Sequence, residues 1–167
     1  AIASSIAEKG KLDFLDITKK QIEMYESCIQ EDGSIKGAYG KTTMDAFNRI
    51  RKGVSPEKAG LFPGLGTGPC MKVSPIGLYL NATKEFRKSL DMADKVGKST
   101  HLDGRAVASG VAQTKAIDSL LRDHSKEDFL KILYEVTFCY EKSLKPETPL
   151  REKGYLSSRL KWISQNR

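Results

Sequence analysis

Two histidines, His101 and His124, and three widely spaced cysteines, Cys28, Cys70 and Cys139, are too few and too scattered for a zinc site or a disulfide framework. That cysteine usage fits a reducing setting, so a cytoplasmic location is expected. No apolar run approaches the ~18–20 residues of a membrane span, and no membrane partner is expected. Alternating apolar–polar stretches of useful length are missing, which removes the case for strands, and there is no internal repeat. No initiating Met is present either: the chain opens abruptly on AIASSIAEKG, the last turns of a helix with Gly10 as its stop. It reads as a piece excised from something longer.

What remains is an ordinary globular composition. With 39% hydrophobic and 29% charged residues over 167 positions, the chain suits one domain able to bury a core. The net charge of +7 is unevenly placed. From Lys142 onward Lys142, Lys145, Arg151, Lys153, Arg159, Lys161 and Arg167 face only Glu147 and Glu152, which accounts for +5 of it. These residues alternate with apolar ones at helical spacing and lack interleaved aromatics, so a solvated helix face is expected rather than a nucleic-acid platform.

Helical periodicity runs through most of the chain. Leu15, Ile22, Tyr25 and Ile29 recur at helical intervals, with Asp13 or Asp16 as N-cap. After a loop with three glycines, KTTMDAFNRIRKG predicts a helix starting at Thr42 or Thr43, packing through Met44, Phe47 and Ile50 and stopping at Gly53. TKEFRKSLDMADKVGK predicts another with Phe86, Leu90 and Ala93 inward. Asp103 is placed to cap GRAVASGVAQTKAIDSLLRDH, whose small residues let neighbouring backbones approach. Phe129, Ile132, Leu133, Val136 and Tyr140 form the stripe of the next helix, and Leu156, Leu160 and Ile163 belong to a last one. The fold class predicted is all-α.

The stretch GLFPGLGTGPCMKVSPIGLYL, residues 60–80, organises the rest. Its glycines let backbone N–H groups approach a ligand closely, and a helix start behind them favours anions. Met71, Val73, Ile76, Leu78, Tyr79 and Leu80 read as a buried helix, with Pro75 kinking it or marking a late first turn. Turn punctuation is the plainer reading of such a cluster. No strand pattern precedes it and no Gly-Lys-Ser/Thr follows within it, so neither nucleotide-binding fingerprint applies.

Three motifs carry a resemblance. GLGTGPCMKVSPIGL resembles the pattern Gly-Asn-Gly-x-x-Met-Arg-x-x-Pro-Ile-Gly-Leu, STHLDGRAVASGVA resembles a Thr/Ser-His-x-Asp helix opening, and GAYGKTTMDAFNRIRKG resembles a Gly-Tyr-Gly-x-Thr-Thr helix start. All three belong to the ADP-ribosylglycohydrolase family, which includes dinitrogenase-reductase activating glycohydrolase. The resemblance implies a compact orthogonal multi-helix domain, incomplete at both ends, and hydrolysis of the glycosidic bond between ADP-ribose and a protein side chain or small acceptor. It implies that Gly64, Leu65, Gly66, Thr67 and Gly68 line the diphosphate and distal ribose, with Met71 closing one wall. It places His101 beside ribose or phosphate as a hydrogen-bond donor, and Tyr39 and Gly40 near the same cleft. ADP-ribose or an ADP-ribosylated protein is the implied partner, nucleic acid is not.

Two divalent ions, Mg or Mn, are implied for the complete protein, where they would orient the attacking water. Their aspartate-rich ligand motifs are absent, since no Asp-Asp pair and no Asp-x-Asp occurs in the 167 residues. Thr67 stands where the pattern has Asn, and Lys72 where it has Arg. The 167-residue chain is therefore expected to be inactive alone and no catalytic residue is assigned. Two other functions stay open: a non-catalytic relative that binds ADP-ribose or another nucleotide, and a basic helical module that binds nucleic acid or a partner. Residue by residue, His101 is weighed as a ligand contact against a locally satisfied helix-start residue, and Asp103 as a cap rather than a catalytic acid. Met71 and Tyr79 are expected in the core. At Cys70 a helix N-terminus could lower the thiol pKa, but no base partner stands nearby.

Overall fold

A computed structural model describes residues 1–37, 39–144 and 155–166. Among them the chain forms α1 (Ile2–Lys9), α2 (Phe14–Ser27), α3 (Lys41–Arg51), α4 (Pro56–Ala59), α5 (Gly68–Lys72), α6 (Ser74–Thr83), α7 (Phe86–Lys98), α8 (Gly104–Leu120), α9 (Lys126–Ser143) and α10 (Tyr155–Gln165). Only two isolated bridges, Ile29 with Ile35 and Leu61 with His101, depart from helix and loop among these residues. The fold is all-α. No helix among them is long and apolar enough to cross a membrane.

Helix ends follow the local chemistry. Gly10, at φ 64°, closes α1, since left-handed backbone costs glycine least. The Asp13 carboxylate accepts from the Asp16 N–H and caps α2. α3 begins one residue ahead of Thr42, at Lys41, because Gly40 serves as its N-cap without a side-chain bond.

α8 is the centre, packed by α5, α6, α7 and α9. Its small residues work as the sequence suggests: a Cβ on Gly110 would stand 3.3 Å from Pro69, and one on Gly77 of α6 only 2.6 Å from the Ile117 Cβ. Val73, Ile76, Met92, Ala93, Val96 and Val111 fill the core, with Ile2 and Ile17 from the first two helices and Leu12 from the turn between them. α1 and α2 are fastened by Ser5 Oγ donating to Asp16 at 2.6 Å and Lys20 Nζ donating to Glu8 at 2.7 Å.

Several expected faces are rotated. α2 buries Ile17, Thr18, Gln21 and Tyr25, while Leu15 is exposed, because the helix carries two apolar edges and α1 and α7 cover the Ile17 edge. α7 buries Ser89, Met92, Ala93, Val96 and Gly97 rather than Phe86, which is exposed beside the Lys115 ammonium. On α9 the fully buried positions are Leu130, Leu133, Thr137 and Glu141, with Val136 and Tyr140 packed at the core margin. Glu141 is buried because it accepts from the backbone N–H of Leu156 and Ser157 and from Ser157 Oγ, tying α10 to α9. α10 otherwise lies shallow, with Leu156 and Leu160 half-buried and Ile163 exposed.

The expected single buried helix behind the glycines is two helices broken at Val73, which ends α5 and caps α6. Pro75 causes the break: it sits in the first turn of α6, where its missing N–H costs nothing. Splitting the run turns Met71, at 76% exposure, and Leu78 to the outside, so the core placement of Met71 is corrected; Tyr79 does pack against the core. Of the basic C-terminal residues, Lys142 lies over the Phe138 ring and Arg159 over the Tyr155 ring. Lys145, Arg151, Lys153 and Arg167 lie outside the described residues.

Candidate functional site

The glycine stretch is fixed by a short parallel pairing. Leu61 N–H donates to Thr100 O at 3.2 Å and Leu102 N–H donates to Leu61 O at 2.9 Å, which lays residues 61–68 across the approach to α8. The glycines then meet His101 directly. A Cβ on Gly64 would come within 2.6 Å of Leu61 O and 3.1 Å of His101 Cα. One on Gly66 would stand 3.0 Å from His101 Nε2, and one on Gly68 2.7 Å from His101 Cε1. Close approach, not left-handed backbone, is what calls for glycine here.

His101 is 2% exposed, and its Nδ1 shares a 2.8 Å hydrogen bond with Thr100 Oγ1. Lys72 Nζ donates to the same oxygen at 2.9 Å. Lysine, hydroxyl and imidazole thus form one chain beneath the loop. Burial, with a smaller contribution from the Lys72 charge, lowers His101 to about 4, so the ring is neutral near pH 7. Lys72 is half-buried as a residue, but its ammonium is enclosed, and burial pulls it down to about 7. Asp103 is a cap: its carboxylate accepts from the Arg105 N–H and from the Arg105 Nε and Nη2. Burial pushes this carboxyl up, yet the bonds and charge of Arg105 outweigh it and hold the group below its usual range. At Cys70 burial pushes the thiol up, opposite to the lowering that a helix start could give.

A cavity of about 770 Å³ opens against this layer. Gly66, Thr67, Gly68, Met71 and His101 line it from the glycine stretch and the approach to α8, Tyr39, Gly40, Thr42 and Thr43 from the start of α3, and Gln21, Met24 and Phe47 from α2 and α3. The sequence-derived residues Tyr39, Gly40, Gly66, Thr67, Gly68, Met71 and His101 therefore meet in one space. Gly64 and Leu65 are not among its walls. Gly64 is buried against His101 and Thr42, and Leu65 is 54% exposed.

Lys72 and Gln21 were not foreseen as walls. For Lys72 the sequence offered a signal, a cation directly behind Met71 in the motif. Gln21 gave none, since only the packing of α2 brings it there. The first turn of α3 faces the same space without a side-chain cap, a favourable arrangement for an anion. Lys41 and Lys72 are the charged side chains of the lining, which contains no carboxylate.

That lining does not fit a Mg or Mn pair, whose hard cations need carboxylate oxygens. Nor do three or more His, Cys, Asp or Glu converge anywhere among the described residues. A second cavity, about 730 Å³ between α2 and α3, is walled by Leu15, Ile22, Ile50, Glu26 and Arg51; of the three motifs it meets only the C-terminal half of the third, and neither the glycine stretch nor His101.

No curated protein and no solved structure matches the chain. The model of the ADP-ribosylglycohydrolase family matches residues 1–163, and the three motifs that meet around His101 all fall inside that span. The chain belongs to the ADP-ribosylglycohydrolase family.

Proposed function

We propose that the His101 cavity is the ADP-ribose-binding wall of a hydrolase that cleaves the glycosidic bond between ADP-ribose and a protein side chain or small acceptor. The observation that carries this reading is the convergence of three separate motifs on one cavity that holds two lysines and no carboxylate. An anionic diphosphate fits such a lining. The backbone around Gly66 and Gly68 and the first turn of α3 offer N–H donors to it, while Met24, Tyr39, Phe47 and Met71 supply apolar surface to base and ribose. His101, neutral and locked to Thr100, keeps the loop at a fixed height and has a ring edge for a ribose or phosphate oxygen.

Hydrolysis of such a bond builds positive character on the ribose while water attacks. The residues of this wall bind and orient; none is a carboxylate able to take the water's proton. Ligands for Mg or Mn come, on this reading, from residues other than these, and the 167-residue chain turns over no substrate alone. The binding-only reading makes the same claim for this chain and departs from ours only in a longer protein.

Titration of ADP-ribose into wild type, Gly66→Val and His101→Ala, with and without Mg, tests the site. Wild type is expected to bind, both variants at least about tenfold more weakly, the equivalent of ~1.4 kcal/mol. Equal binding by all three overturns the assignment, and turnover by the 167-residue chain would show that the water-activating groups are here after all.

A further inference from the structure

We propose that the Lys72 ammonium is the built-in counter-ion of the His101 cavity, holding the diphosphate of the bound nucleotide. The proposal rests on the reading of this cavity as an ADP-ribose site and names the residue that meets the charge.

Three observations carry it. Lys72 ends α5 and lines the cavity, with Nζ 2.9 Å from Thr100 Oγ1 in the layer under Gly66 and Gly68. Thr100 is fully buried, so this layer is sealed from the core side. Second, among the described residues Lys72 makes no ion pair and no further hydrogen bond, leaving two of its three N–H bonds without a protein partner. Lys20, Lys41, Lys98 and Lys115 each sit within 3 Å of a carboxylate. An enclosed cation without a counter-charge opposes folding, and such groups gather at functional sites. Third, no carboxylate among the described residues lines the cavity to take an anion's place.

The groups facing the cavity from each side are few. α3 presents Lys41, whose ammonium is held by Asp45 at 2.8 Å. The loop before it presents Tyr39, kept protonated because burial, then Cys28 and Tyr25, push its hydroxyl up. His101 is neutral, and α1, α2 and α6 present Ile2, Gln21, Met24 and Pro75, all uncharged, next to the α-ammonium of Ala1 at the cavity rim. On α7 and α8, which pack against α5, Lys98 is paired with Asp94 and Arg105 with Asp103. Among the described side chains an incoming diphosphate therefore finds Lys72 as the enclosed cation without a counter-charge.

In the empty cavity burial holds Lys72 at about 7, so it is roughly half charged at neutral pH and loses its charge above. A bound diphosphate favours the charged form and raises that value. Affinity then falls with rising pH, because the proton must be supplied as the ligand binds. ADP-ribose has no phosphate group titrating in this range, so the dependence belongs to the protein.

Calorimetric titration with ADP-ribose and with inorganic pyrophosphate, in buffers of different ionisation heat between pH 6 and 9, reads this directly. For wild type, ADP-ribose affinity is expected to fall on the order of 50-fold across the range, with uptake approaching one proton near pH 8. Lys72→Arg, which stays charged, binds with most of that fall removed, and Lys72→Met binds at least about tenfold more weakly at pH 6 and likewise loses most of the pH dependence. Circular dichroism establishes that each variant is folded. Wild-type binding that ignores pH, together with unchanged binding by Lys72→Met, overturns the counter-ion role while leaving the ADP-ribose reading intact. Pyrophosphate binding that depends on Lys72 when ADP-ribose does not bind supports the counter-ion and defeats the nucleotide reading. Binding of neither ligand overturns both.

Discussion

The two larger cavities differ by only about 40 Å³ and share α2 and α3 as walls, yet they are chemically unlike. The groove of Leu15, Ile22 and Ile50 mixes both signs of charge, and its Arg51 already donates to Glu26 at 2.9 Å. The His101 cavity has two lysines, no carboxylate, an uncapped helix start, and the amide oxygen of Gln21, buried without a partner. One space pairs its Arg51 with Glu26, while the other leaves Lys72 without a counter-charge and the Gln21 amide oxygen without a partner among the described residues. Unfinished polar chemistry, more than volume, separates a site from a surface depression.

Substitution of the glycines should strain that contrast most. Gly64→Ala forces a methyl against the Leu61 carbonyl and the His101 backbone, with an expected loss of about 1–3 kcal/mol in denaturant unfolding together with weakened ADP-ribose binding. Gly40→Ala meets no atom within 4 Å and should cost less than about 0.5 kcal/mol. A Gly64→Ala protein as stable as wild type would show that the loop does not press on His101.

Next in size is the pH dependence of folding. Both Lys72 and His101 have depressed values, so the unfolded chain binds more protons than the folded one and stability rises with pH. The rise is expected between about 4 and 6.5 for His101, and between about 7 and 10.5 for Lys72. Lys72→Met should raise the melting temperature of the ligand-free protein below pH 7, by about 2–4 °C per kcal/mol relieved, and remove the alkaline rise. Melting curves of the two proteins that stay parallel across pH would contradict it.

A smaller loss is expected from Asp103→Ala, about 1 kcal/mol for the cap of α8, measured by chemical denaturation. Leu15→Ala in the other groove should be smallest, within about 0.5 kcal/mol, because the side chain is 62% exposed, and it should leave ADP-ribose affinity unchanged.

Local chemistry was legible in the sequence because it depends on neighbours in the chain. Gly10 stops α1, Asp13 caps α2 and Asp103 caps α8, as spacing and side-chain reach require. The site's outline was legible through its motifs. What the sequence hid was orientation. α2 carries two apolar edges, and choosing Ile17 over Leu15 takes the neighbours α1 and α7. Met71 looks like core by composition, and only the break at Val73, set by Pro75, turns it outward onto the cavity. In the Lys72–Thr100–His101 chain the first link joins residues 28 positions apart, a contact no periodicity encodes.

The direct measurement is backbone amide chemical shifts of the 167-residue chain on addition of ADP-ribose. Perturbations are expected at Tyr39, Thr42, Gly66, Gly68 and His101 that saturate together, and none at Leu15, Ile22 or Ile50. Perturbations gathered around Leu15 and Ile50, with Gly66 and His101 unmoved, would contradict the site assignment.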